Sequence, residues 1–196
     1  MTLDAATPSC AVPRLADAWG RLRATLSWTQ PAGLSQPRLR LGCLWESRTG
    51  DQGVVQVLGG LTEAPRIAKR RTVWVTESAY GTSEEIDVNL YRNIRRLRRL
   101  LLFAYADDGA PDWDALGAVL TIKPPHDDDL VEMWVDKPVQ GTSTCVLATM
   151  HAVDGILVVR REMDYVSGPQ SLLAQAYGWD LHWVQGRTIT RTASTY

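Results

Sequence analysis

The sequence predicts an all-β protein: an antiparallel β-sandwich with one short helix near the C-terminus. Three observations carry this expectation. Apolar residues recur at every second position in runs of strand length. Glycine, proline and acidic turns break those runs at short intervals, giving about nine strands. A helical period is convincing only after Pro169.

Taken in order, residues 1–13 lack periodicity and read as a loose arm. Leu15, Ala18, Trp19 and Leu22 outline one face of a short helix that Gly20 weakens, so residues 1–20 are expected to be an arm or short helix. Leu22, Ala24, Leu26 and Trp28 then alternate as a strand, and residues 29–37, with two prolines and a glycine, form a loop. Residues 38–58 form a hairpin. Leu39, Leu41, Cys43 and Trp45 alternate with Arg38, Arg40, Gly42 and Leu44, a polar glycine-bracketed turn follows, and residues 54–58 return as an apolar run. Its early position suggests a central pair in a sheet. Residues 73–75 are a short strand, 77–85 a polar loop, and Ile86, Val88 and Leu90 alternate with Asp87 and Asn89.

The arginine-rich run at 92–99 reads as a connector of solvated arginines before a buried strand at 100–105. Residues 107–114 are an acidic turn, and 118–122 and 130–135 are strands. Residues 145–161 form a hairpin on Asp154-Gly155, a dipeptide suited to two-residue turns. Ser167-Gly168-Pro169 opens the helix, Leu172, Leu173, Ala176 and Tyr177 share a face, and Gly178 ends it as a left-handed cap. Trp179, Leu181 and Trp183 alternate as a last strand before a tail at 188–196.

Composition narrows the function. The chain has 196 residues, 45% of them hydrophobic, which suits one domain with a sizeable core. A formal charge of −1 argues against a nucleic-acid partner. Eight tryptophans against one phenylalanine suit large rings packed between sheets. Cys10, Cys43 and Cys145 share no metal-ligand spacing, and Cys43 and Cys145, in apolar strand-like runs, are expected to be buried free thiols in a reducing cytoplasm. No apolar stretch nears the ~18 residues of a membrane span, and the N-terminus lacks a signal-peptide pattern, so the protein is expected to be soluble and cytoplasmic.

Three blocks resemble the TerD/TerA family of bacterial tellurium-resistance and general stress proteins. They are LRLGCLWESRTGDQGVVQVLG, RRLLLFAYADDGAPDWDALGAVLTI and VRREMDYVSGPQSLLAQAYGWDLHWVQGR, and together the match spans residues 21–187. The last is the most specific, joining a helix, its cap and an L-x-W strand at fixed offsets. The resemblance implies a β-sandwich and, in typical members, a calcium site built from a D-L-D turn, a D-D-R-T-G loop and an acidic G-x-x-E segment. Two of the three fail here. Arg38-Leu39-Arg40 stands for the first and Lys69-Arg70-Arg71-Thr72-Val73 for the second, while Ser83-Glu84-Glu85 keeps its acids. Replacing carboxylates with guanidinium groups turns acceptors into fixed positive charge. The expectation is that Arg40, or Arg70 and Arg71, occupies the ion's position and pairs with Glu84 or Glu85.

Other candidates are weaker. Asp107, Asp108, Asp112 and Asp114 do not follow an EF-hand spacing, and the consecutive Asp127, Asp128 and Asp129 diverge, with His126 adding no ligand spacing. Cys145 and His151 share a face of one strand by their even offset, but roughly 20 Å apart, too far to act together. His182 is expected at the surface. Trp28, Trp45 and Trp183 are expected in the core, and Trp113 in the acidic turn is the tryptophan expected to be exposed as a contact surface.

The sequence therefore assigns no catalytic, cofactor-binding or metal-ligating residue. It points to a non-enzymatic stress module that works through contacts with other stress-complex proteins and meets membranes only peripherally. Two alternatives stand beside this: a calcium-binding member using the acids of 107–114 or 84–87, and a carbohydrate-binding sandwich displaying exposed coplanar tryptophans.

Overall fold

A computed structural model describes residues 1–12, 20–30, 37–66, 70–76, 81–90, 95–123, 131–136, 138–154, 156–184 and 187–189. The expected helix at Leu15, Ala18 and Trp19, the acids at 127–129 with His126, Lys69, Gly155 and residues 190–196 lie outside these. The strands in chain order are β1 (Ser9–Val12), β2 (Arg21–Ser27), β3 (Leu39–Ser47), β4 (Gln52–Val55), β5 (Val73–Thr76), β6 (Ser83–Asn89), β7 (Leu97–Ala106), β8 (Val119–Lys123), β9 (Val131–Trp134), β10 (Thr144–Val153), β11 (Ile156–Val166), β12 (His182–Val184) and β13 (Arg187–Ile189). A five-stranded sheet has the order β5-β6-β2-β8-β9 and a six-stranded sheet the order β1-β11-β10-β7-β3-β4, with all neighbours antiparallel.

The alternation read in β2 is the burial seen: Leu22, Ala24 and Leu26 are fully buried. They meet Leu41, Cys43, Leu102, Met150 and Val159 of the facing sheet in one core. The sandwich follows from period two, because only a second apolar face can cover the first. The six-stranded sheet is also covered on its other side. Helix α2 (Gln170–Ala176) and Trp179 lie over Leu44, Leu101, Phe103, Tyr105 and Val146. This double burial is why β7 reads as a continuous apolar run from Leu100 to Tyr105. Gly42 permits the covering, since a Cβ there would meet the Phe103 ring at 2.2 Å.

Several expectations are corrected. The 38–58 hairpin is not a central pair: β4 is an edge, and β7 and β10 hold the middle. Strand β6 begins at Ser83, inside the stretch read as a loop. The loose arm is structural in part. Leu3 N donates to the Glu132 carbonyl at 2.9 Å, β1 pairs with β11, and Leu3 and Val12 are buried. The first twelve residues therefore line an edge of each sheet, protecting exposed ladders. A one-turn helix α1 (Trp113–Leu116) stands in the acidic turn, capped by Asp112, whose Oδ1 accepts from Ala115 N at 3.1 Å.

Helix α2 forms where expected. Gly178, at φ 69°, closes it with Gly178 N donating to Gln175 O and Trp179 N to Ala174 O. Its buried face, however, is Leu173 and Ala174 with Tyr177 packed alongside, while Leu172 is 45% exposed. Arg187 to Ile189 pair with β12, so the expected tail starts later than residue 188.

Candidate functional site

Strand β4 pairs with β3 only from Cys43 to Glu46, which leaves the preceding edge of β3 without a strand neighbour on that side among the described residues. Glu84 of the opposite sheet fills the gap. Its Oε2 accepts the backbone N–H of Leu41 at 3.4 Å, and its Oε1 accepts Arg40 Nη1 at 2.6 Å. Arg40 Nε donates to Asp107 Oδ2 at 2.7 Å, while Arg38 stands 3.8 Å from Glu84. One guanidinium thus bridges a carboxylate from β6 and another just beyond β7. The group sits in a cleft of about 520 Å³ that Val57, Val75 and Ser83 help to line.

Both partners are largely removed from water, with side-chain exposures of 17% for Arg40 and 7% for Glu84. Burial by itself would lower the pKa of Arg40, but the hydrogen bonds to Glu84 and Asp107 outweigh it and hold the pKa above its ordinary value. The expectation that Arg40 meets Glu84 is thus realised, and Asp107 is an added partner. Arg71 does not join them. It pairs with Glu63 at 2.8 Å and lies over the Trp74 ring, 5.2 Å from its centroid.

Two further acids are buried and answered by arginine. Asp87, fully buried, accepts a fork from Arg23 at 3.0 and 3.1 Å and the Thr76 hydroxyl at 2.6 Å, with Arg21 at 3.3 Å. Glu46, 2% exposed, accepts Arg98 Nη1 at 2.6 Å and Arg99 Nε at 2.5 Å. Arg99 also donates to the carbonyls of Tyr177 and Gly178 at 2.7 and 2.6 Å, and lies over the Trp179 ring at 3.7 Å. This corrects the reading of 92–99 as solvated arginines at Arg99, while Arg95, Arg96 and Arg98 are exposed as expected. Arg99 clamps the end of α2 to the sheet, where a cation also complements the helix dipole. Its partners stand 53 and 78 residues away, so no local pattern announces them.

The remaining candidates disperse. Glu84 faces one side of β6 while Glu85 and Asp87, at odd positions, face the other, with Glu85 paired to Arg23 at 2.9 Å. In the acidic turn, Asp107 goes to Arg40 and Asp112 to its cap. Among the described residues no three His, Cys, Asp or Glu side chains come together as metal ligands.

A bulge between Val146 and Ala148 reverses the parity of β10, so buried Cys145 and exposed His151 face opposite sides, not the same one. Burial pushes the thiols of Cys43 and Cys145 up to about 12. His182 is exposed as expected. Trp113 is the clear reversal. It is 2% exposed, donates its indole N–H to Thr142 O at 2.9 Å and packs edge-on to Tyr165. Among the described residues the exposed tryptophan is Trp134, at 53%, while Trp28, Trp45 and Trp179 are buried. Trp183, expected in the core, is only half-buried.

No protein-family model matches the chain. It is 25% identical over 183 residues to the tellurium resistance protein TerA of Alcaligenes sp., covering 86% of this chain and 52% of that protein. Its fold is similar to that of a homologue of the telluride resistance protein TerD from Streptomyces coelicolor A3(2). That match has a TM-score of 0.55 and 16% identity over 80% of this chain and 95% of the other. Together these likenesses support a divergent relationship to the TerD/TerA-type tellurium-resistance proteins. A second structure with the same fold, a protein of unknown function named SAV2460, gives a TM-score of 0.56 at 12% identity over 83% of this chain and 98% of that one. The chain spans about half the length of the TerA relative. The motif that marks the family's closing block, Tyr177-Gly178-Trp179, is here the receptor for Arg99.

Proposed function

We propose that this TerD/TerA-type chain is a non-enzymatic stress-response module of the tellurium-resistance kind. In it a guanidinium replaces the calcium ion of typical members, and the module works in the cytoplasm through contacts with other proteins. The single observation carrying this reading is Arg40 held between Glu84 and Asp107. Calcium takes six to eight oxygen ligands. Arg40 supplies only N–H donors and a fixed positive charge, so these residues do not fit a calcium ion. The geometry supports a different role for the guanidinium, which ties the two sheets at the edge of β3 through Glu84 and Asp107.

The kinship with a tellurium resistance protein supports the stress-response role. No helix among the described residues is long and apolar enough to cross a membrane, which fits attachment no closer than peripheral. Thermal melts with calcium and with chelator test the central point. Superimposable melts are expected, because a ligand that does not bind the native state cannot shift its stability. A melting temperature that rises with calcium concentration overturns the reading. As a positive control, R38D/R40D should acquire such a rise, since it sets new carboxylates beside Glu84 and Asp107.

A further inference from the structure

At the opposite end of β3, roughly 20 Å along the strand from Arg40, a cavity of about 410 Å³ opens beside the turn that follows Ser47. Trp45 lines it. That residue is 5% exposed, and its indole N–H is buried with no hydrogen-bond partner.

Four arginines also line the cavity, Arg48, Arg66, Arg95 and Arg96, against one carboxylate, Asp51. Arg66 is engaged by Glu63 at 3.2 Å, and Arg48 gives one N–H to the Ala152 carbonyl at 2.8 Å. Asp51 is occupied with the Thr49 hydroxyl at 2.8 Å. Arg95 and Arg96 are exposed and have no carboxylate partner among the described residues. Elsewhere the buried acids Glu46, Glu84 and Asp87 each draw arginines to them. Here Arg48, Arg95 and Arg96 converge with Asp51 as the one acid in the cavity wall.

We propose that this cavity binds a small phosphorylated organic molecule. Its phosphate would be held by Arg95, Arg96 and the remaining donors of Arg48, and its apolar or aromatic body would lie against the Trp45 side chain. Guanidinium groups fork onto oxyanions. Three of them from two chain segments outnumber the two oxygens of a carboxylate but match the three terminal oxygens of a phosphate monoester. An inorganic ion would fill little of the space. A cavity of this size, with Trp45 and Pro65 in its wall, falls in the range of roughly 300–1,000 Å³ typical of small-molecule sites. The inference goes beyond the proposed function and shares no residue with the Arg40 cluster.

Phenyl phosphate is the probe, followed by titration calorimetry and by indole ¹H–¹⁵N spectra of the full chain. Saturable binding is expected, together with movement of the one indole signal that Trp45→Phe removes. R95S/R96S should weaken binding about tenfold or more, and Trp45→Phe by less. Inorganic phosphate should bind more weakly than phenyl phosphate. The Arg95 and Arg96 side chains are exposed, so their double variant keeps the fold and decides the matter even if Trp45→Phe is destabilised. Three results each overturn the proposal: no saturation, undiminished affinity in R95S/R96S, or equal affinity for phenyl and inorganic phosphate. Loss of binding in R38D/R40D while that variant remains folded would also count against it.

Discussion

The two ends of β3 treat positive charge in opposite ways. At the Arg40 end a guanidinium is buried and shared by Glu84 and Asp107, and its charge is spent within the fold. At the Ser47 end Arg95 and Arg96 are exposed and line a cavity whose one acid, Asp51, is bonded to the Thr49 hydroxyl. The same residue type thus stabilises in one place and is left available in the other. What separates them is the neighbouring strand. Glu84 of β6 crosses to β3 where β4 no longer covers its edge, while at the far end the buried acid, Glu46, is already taken by Arg98 and Arg99.

The comparison can be broken most directly at Arg40. Arg40→Ala leaves Glu84 buried with only the distant Arg38 and one backbone donor, and should cost about 3 kcal/mol or more in urea denaturation. Arg38→Ala, exposed and 3.8 Å away, should stay within about 0.5 kcal/mol. Equal effects would mean that Arg40 is not the specific bridge. Arg99→Ala sharpens the point in the middle of the sheet. It should cost about 3 kcal/mol and should speed hydrogen exchange at the end of α2, because Glu46, Tyr177 and Gly178 all lose a donor.

Midway along β3, Gly42→Ala drives a methyl group into the Phe103 ring, and overpacking of this kind typically costs about 1–3 kcal/mol. At the free end, R95S/R96S should change stability by no more than about 0.5 kcal/mol, the range for surface substitutions without partners. A large loss there would show that these arginines serve the fold after all.

The smallest effect is chemical. At pH 8 a thiol reagent should label Cys10 in the native protein and leave Cys43 of β3 and Cys145 untouched until the chain unfolds. Burial raises both thiols to about 12, so neither carries appreciable thiolate below that pH. Partial burial also raises Cys10, so its labelling should be slower than that of a free thiol.

Much of the architecture was legible because it rests on local periods. Leu22, Ala24 and Leu26 state their face by spacing two, and Asp154, at φ 49°, supports the hairpin expected at 145–161. Gly178 announced the end of α2 through the left-handed conformation that glycine adopts without strain. The candidate site was legible only in part. Arg38 and Arg40 standing where acids are expected pointed to Glu84, but Asp107 lies 67 positions from Arg40 and nothing local links them.

The misreadings share a cause. Trp113 sits among four aspartates, and polar neighbours in sequence suggested an exposed ring. Its indole instead finds Thr142 and Tyr165 in space. The parity of β10 failed at a single bulge, which leaves no composition signal. The first twelve residues lacked periodicity because an edge strand of four residues is too short to show one.

The sequence by itself determined the class of fold, the order of most strands, the one substantial helix and the loss of acids from two segments. All of these follow from spacing along the chain and from residue type. The tertiary structure alone decided which arginines are consumed and which are free. Charge pairing depends on which strands become neighbours, and β6, β7 and the end of α2 reach their arginines from 44 to 79 residues away.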